Sequence, residues 1–230
     1  MGALASIRQT GTYWRLGKSL TACVAADRVL FLDLKRDRYF ALPSADNQTF
    51  MAELQQADGG TLPDRCRDML ARFGVVDRTG GASLRVVTRQ VQKPEPIDSE
   101  CPPRTPLSAS LLLNVGKAVI SAARQVRTRP LELVLRRRMG ADTSSVAIPA
   151  RAHRIAEFHA ARPFIPVPRV CLHDSLALFE WLGGVRGGTQ LVFGVSAHPF
   201  AAHCWVQADG MVLDDHPDNP SRFQPILHFP

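Results

Sequence analysis

The strongest constraint on this chain is a change of hydrophobic period. A proline-broken stretch over 77–106 is followed by apolar residues at helical spacing and then, from residue 190, by strand-like runs. Leu112, Val115, Val119, Ala122 and Val126 mark a helix over 107–127. Pro130 starts a shorter one carrying Leu131, Val134 and Leu135, and a third is expected over 150–160. Pro163, Pro166 and Pro168 interrupt the chain. Leu176, Ala177, Phe179 and Leu182 then define a helix over 172–182 that opens at Cys171. Strands are expected over 190–195, 202–207 and 211–213, with Asp209-Gly210 as a hairpin turn. Helices gathered ahead of strands predict an α+β fold with helices packed on an antiparallel sheet.

The first part of the chain has its own pattern. Residues 28–42 read as two strands around the polar turn Lys35, Arg36, Asp37, Arg38. Ser44 and Asp46 can cap a helix over 47–56, where Phe50, Met51 and Leu54 repeat at helical spacing before Gly59-Gly60. Pro63 suits the first turn of a second helix with the apolar stripe Cys66, Met69, Leu70, Phe73, and Gly74 ends it before a short strand at 75–76. This is a small winged-helix-like arrangement. The expected organisation is therefore a domain over 1–84, a linker over 85–105 rich in proline and polar residues, and a second domain over 106–230.

Charge and cysteine usage narrow the functional classes. The net charge of +7 is concentrated in the middle: residues 85–163 hold 14 basic and 6 acidic side chains, against 11 and 9 in 1–84. Arg124, Arg127, Arg129 and Arg136 to Arg138 dominate it, without aromatic residues for base stacking, so a solvated helix face is preferred over nucleic-acid or acidic-peptide binding. The winged-helix-like segment also lacks the basic stripe that DNA requires, which favours a peptide ligand there. The apolar run nearest to a membrane span, 111–120, is broken by Asn114 and Lys117, so no span is expected. The N-terminus shows no secretory pattern, and the myristoylation-like Met1-Gly2-Ala3-Leu4-Ala5-Ser6 is too short a signal to carry weight. Five scattered cysteines without a Cys-x-x-Cys pair point to a reducing, cytoplasmic setting.

Cys171, His203 and Asp215 are the residues in which chemistry can be read. Alone, a cysteine ahead of an apolar helix is ordinary packing. At a helix start, however, free N–H groups and the helix dipole favour a thiolate. His203 opens a predicted strand, and the turn at Asp209-Gly210 returns the chain to Asp214-Asp215. A thiolate needs an imidazolium beside it and the imidazole needs a carboxylate to orient it, and the chain supplies these in order. Asp214 competes with Asp215. Strand alternation lets only one of the two face His203, and Asp215 is taken as the catalytic carboxylate.

Val170-Cys171-Leu172, Ser175 to Leu178, His203-Cys204-Trp205-Val206, Asp209-Gly210 and Asp215 resemble the transglutaminase/papain-like cysteine peptidase domain of lasso-peptide maturation B proteins, over about 105–220. The first 80 residues are similar, more weakly, to the PqqD-like leader-peptide recognition domain, through Asp33-Leu34, Tyr39-Phe40-Ala41-Leu42 and the two helices after them. The resemblance implies a precursor leader bound as an added strand, with Asp33, Tyr39, Phe40 and Leu42 as leader-binding residues. It also implies cleavage of leader from core by Cys171, His203 and Asp215, no cofactor, and an asparagine-synthetase-like macrocyclase as partner.

Three other readings were weighed. The same triad can pass its acyl group to an amine, as in transglutaminases. Cys171, His173, His203 and Cys204 offer metal-ligand chemistry in a non-catalytic binding protein, but neighbours on a strand point to opposite faces and the spacing departs from zinc motifs. Residues 11–19 look like a P-loop with one residue too many between its glycines and no preceding strand, so no nucleotide site is expected.

Overall fold

The computed structural model describes residues 9–57, 60–76, 83–91, 106–138, 148–209, 211–214 and 220–229. The first part builds an antiparallel sheet from β1 (Gln9–Leu16), β2 (Leu20–Ala25), β3 (Arg28–Asp33), β4 (Arg38–Ala41) and β5 (Leu84–Val91), in the order β4-β3-β2-β1-β5. The β2–β3 hairpin closes on Ala26 and Asp27, both at positive φ (46° and 61°), the sense of turn that matches strand twist. Helices α1 (Ser44–Gln56) and α2 (Asp64–Arg72) cover one face of this sheet. Asn47 anchors α1 to the hairpin: its Oδ1 accepts from the Val29 N–H at 2.8 Å and its Nδ2 donates to the Asp27 carbonyl at 3.0 Å.

Val29-Leu30-Phe31-Leu32 is a continuous apolar run, which an antiparallel strand tolerates only when both its faces are covered. Val29 and Phe31 pack with Phe50, Leu54 and Leu70 of the two helices. Leu30 and Leu32, on the other face, join a core that continues into the second half of the chain. There α3 (Ala109–Thr128), α4 (Leu131–Arg136), α5 (Ile148–Ala161) and α6 (Cys171–Trp181) pack with a second antiparallel sheet. Its strands are β6 (Gln190–Ala197), β7 (Phe200–Ala208), β8 (Met211–Val212) and β9 (Gln224–Phe229), in the order β8-β7-β6-β9. Polar contacts cross between the halves: the His228 N–H donates to the Tyr13 hydroxyl at 3.2 Å, and the Glu132 N–H donates to the Leu34 carbonyl at 3.0 Å.

Helices ahead of strands, and the β3–β4 hairpin, follow the expected α+β pattern. Several segments differ, among them β2, where no strand is expected from the sequence. Residues 84–91, expected to begin the linker, form β5 and pair with the whole of β1. β1 itself is polar (Gln-Thr-Gly-Thr-Tyr-Trp-Arg-Leu) and owes its strand conformation to β2 and β5 on either side. β9 carries Pro225, which cannot donate to a ladder; the sheet absorbs it at an edge strand, beside a bulge between Phe193 and Gly194. Residues 75–76 are bends rather than a strand.

The arginine-rich middle is also more than a solvated face. Arg138 pairs with Glu180 of α6 and donates to Gln125 Oε1 at 3.0 Å, its side chain only 13% exposed. Burial, with Arg137 alongside, lowers its pKa to about 10. Among the described residues no helix is long and apolar enough to cross a membrane.

Candidate active site

Cys171 is the first residue of α6, after Val170 in extended conformation (φ −129°, ψ 128°), and it is exposed. Its thiol pKa is lowered, chiefly by a hydrogen bond from the His203 side chain. Partial desolvation opposes this, and the backbone N–H groups of Cys204 and Leu172 reinforce it by donating to the sulfur. The helix start and the neighbouring strand β7 thus both present N–H donors to one sulfur. The other described cysteines, Cys23, Cys66 and Cys204, are buried, and burial pushes their thiols up, Cys23 and Cys66 to about 12.

The His203 ring is held by aromatic neighbours. Trp205, two residues on and therefore on the same face of β7, stacks with it at 6.0 Å and 22°, and Phe223 flanks it at 5.2 Å and 33°. Trp205 is fully buried and donates its Nε1–H to Gln207 Oε1 at 3.3 Å, while Gln207 donates in turn to Gln190 at 3.1 Å. Directly across from His203 stands Gly194 of β6. A Cβ there would lie 2.7 Å from the Trp205 ring and 2.8 Å from the Phe223 Cβ, closer than packed carbons come. Gly194→Ala is therefore expected to displace both aromatic supports of His203. The expected cost is about 1–3 kcal/mol of stability, with slower alkylation of Cys171, measured by thermal melting and iodoacetamide kinetics.

Asp215 lies outside the described residues. Asp214 serves as a clasp: its Oδ1 accepts from the Val206 N–H at 2.9 Å, and its Oδ2 lies 2.5 Å from the Ser175 hydroxyl, which is also 2.8 Å from the Cys204 carbonyl. One carboxylate and one buried hydroxyl thereby tie α6 to β7, fixing the helix that carries Cys171 against the strand that carries His203.

A second clasp escaped the sequence reading. Arg162, only 1% exposed, donates from Nε to Asp174 Oδ1 at 2.7 Å, from Nη1 to the Ile165 carbonyl at 3.4 Å, and from Nη2 to the carbonyls of Val167 and Pro168 at 3.0 and 3.3 Å. The planar guanidinium gathers the proline-rich turn and the first turn of α6 around one buried charge. An arginine between Ala161 and Pro163 carries no periodic signal that would reveal this.

The four leader-binding candidates are placed very differently. Asp33, 3% exposed, accepts from the N–H groups of Lys35 and Arg36 at 3.1 and 3.2 Å and pairs with the Arg36 side chain, so it organises the β3–β4 turn. Phe40 stacks on Phe31 at 4.8 Å and on Phe73 at 5.9 Å, and Leu42 is buried in the core over the helices. Tyr39, on the opposite face of β4, meets Phe200 of β7 at 5.9 Å. Burial first, then the charges of Cys204, Asp37, Cys171 and Cys23, raise its pKa, so its phenol keeps its proton and stands within electrostatic reach of Cys171. β4 ends the order of its sheet, and through Tyr39 and Phe200 this edge strand meets β7.

Of the metal-ligand candidates, Cys204 faces the main core on the side of β7 opposite His203. Among the described residues no group of three or more His, Cys, Asp or Glu side chains is arranged to hold a metal ion.

A family model described as the Transglutaminase-like superfamily matches residues 112–228, just over half of the 230-residue chain. The chain belongs to that superfamily. Its enzymes are typically cysteine-based, in the papain-like manner, and the matched span runs from α3 to β9 and includes Cys171, His203 and the Asp214-Asp215 pair. Residues 1–111 lie outside the match. Neither the curated proteins nor the solved structures returned a match.

Proposed function

We propose that this protein is a cytoplasmic cysteine peptidase that removes the leader of a ribosomally made precursor, as in lasso-peptide biosynthesis. The observation that carries the reading is the hydrogen bond between Cys171, at the start of α6, and His203 on β7. The Cys171 sulfur attacks the scissile carbonyl and the His203 imidazolium protonates the leaving amine, leaving a thioester. His203 then takes a proton from water, whose oxygen attacks the thioester carbon; the C–S bond breaks, Cys171 is restored as the thiolate beside the His203 imidazolium, and the leader departs as its carboxylate. Backbone N–H groups at the start of α6 are suited to the oxyanion. Asp215 is assigned the orienting of His203, while Asp214 accepts from the Val206 N–H and lies against the Ser175 hydroxyl.

In this proposal the first half of the chain, a PqqD-like winged-helix variant, holds the leader. The free edge of β4 takes the peptide as an added strand, Tyr39 and Phe40 offer side-chain contacts, and Asp33 and Leu42 keep the strand in place. Proximity of Tyr39 to Phe200 and Cys171 favours hydrolysis of a tethered peptide over amide transfer between free proteins. The released core would pass to an asparagine-synthetase-like macrocyclase.

The test uses the full chain with a precursor encoded next to its gene. Cys171→Ala is expected to abolish leader release while leaving the precursor's affinity within about twofold of wild type; release by this variant would refute the nucleophile. Asp215→Ala is expected to lower the release rate with little change in melting temperature, and Asp214→Ala to lower the melting temperature. The reverse pattern would exchange their roles.

A further inference from the structure

A cavity of about 330 Å³ that the proposed chemistry does not use is lined by Val170, the residue before Cys171, and by His173, two residues after it. Val170 and His173 bring the start of α6 into its wall, and Arg124 and Arg127 line it from α3. Ala123 and Val167 add an apolar lining. Among the described residues neither arginine has an acidic partner. His173 Nδ1 is buried and without a hydrogen-bond partner, a state that costs free energy unless a ligand supplies one. Burial and the charge of Arg127 lower the His173 pKa, so at neutral pH the ring adds a neutral polar group to the two guanidinium charges.

Two unpaired cations, an unsatisfied imidazole nitrogen and an apolar lining fit a ligand with a short methylene stem and a terminal carboxylate. We infer that this cavity is a substrate subsite for an acidic side chain, glutamate before aspartate, carried by the peptide within a residue or two of the bond that Cys171 attacks. The inference rests on Cys171 being the nucleophile. It adds a specificity for charge that the catalytic residues, which act on the peptide backbone, and the aromatic contacts of the β4 edge do not supply. Guanidinium groups suit the role through their paired N–H donors, which match a carboxylate.

The experiment does not depend on peptide cleavage. Full-length protein is alkylated with two isosteric probes, N-iodoacetyl-glutamate α-amide and N-iodoacetyl-glutamine α-amide. In each, the Cys171 sulfur forms a bond to the methylene carbon and iodide leaves with the electrons of the broken C–I bond. Rates at Cys171 are followed by peptide mapping, with iodoacetamide as the uncharged reference. Wild type is expected to favour the glutamate probe about threefold to tenfold at low ionic strength, with the preference shrinking as salt is raised. Arg124→Gln with Arg127→Gln should bring the ratio near one without changing the iodoacetamide rate, and Arg127→Lys should keep part of the preference. A wild-type ratio near one, or a ratio that survives both Gln substitutions, overturns the subsite. Slow labelling of Cys171 by every probe would instead count against the nucleophile itself, so the two failures are distinguishable.

Discussion

Replacing His203 with alanine is expected to slow acylation at Cys171 by about 10³-fold or more at neutral pH, since a thiol and its base act as one unit. The His203 hydrogen bond is the largest cause lowering the Cys171 pKa, and partial desolvation pushes the other way. Without the imidazole, desolvation is opposed only by the N–H groups of Cys204 and Leu172, so the thiol shifts toward or above its ordinary value. The sign follows directly. In wild type the reactive thiolate is populated from below the usual thiol range upward, and in His203→Ala the rise of rate with pH moves to higher values. Iodoacetamide kinetics across pH, mapped to Cys171, read this shift. An unchanged profile would show that His203 does not govern the thiol. The other buried cysteines should stay silent over the same range, because burial holds their thiols protonated.

Arg162→Ala is expected to be the most destabilising single change near the site, at about 3–5 kcal/mol, because it removes one partner of a buried charge pair and strands several carbonyl acceptors. For a chain of this size that corresponds to a fall in melting temperature of roughly 10 °C. Arg162→Met, which keeps much of the apolar stem, should recover only a small part, since the loss lies in the freed turn and in Asp174, left with Arg169 at 3.6 Å as its cationic partner. Thermal unfolding followed by far-UV circular dichroism measures it, and a change under 1 kcal/mol would show that the turn before α6 is held by other means. Labelling of Cys171 at a temperature where the variant is folded should also slow, because the same guanidinium positions the first turn of α6.

Much of the second half was legible in the sequence because its signals are local. The apolar spacing over α3, α4 and α6, the prolines before α6 and the Asp209 turn each act within a few residues, and they placed Cys171 at a helix start and His203 on a strand. Strand β1 was not legible: its polar residues are strand only because β2 and β5 pair with it. β5 and β9 were missed for related reasons, one sitting where the chain reads as linker and the other interrupted by Pro225. Asp33 is the instructive site residue. The family resemblance implied a part in recognition, and the structure adds that it accepts from two N–H groups of its own turn, a role that depends on side-chain geometry.

The sequence by itself determined the α+β order, the pairing of a helix-start cysteine with a downstream strand histidine, and the covering of β3 on both faces, since periodicity, caps and apolar runs are properties of neighbouring residues. Only the tertiary structure decided that His203 reaches Cys171, that Gly194 must be small for Trp205 and Phe223 to support the imidazole, that Arg162 and Asp214 fasten α6, and that Tyr39 meets Phe200 of β7. These depend on contacts between residues from a few to more than a hundred positions apart, where shape and charge must match in space and no local period can record the fit.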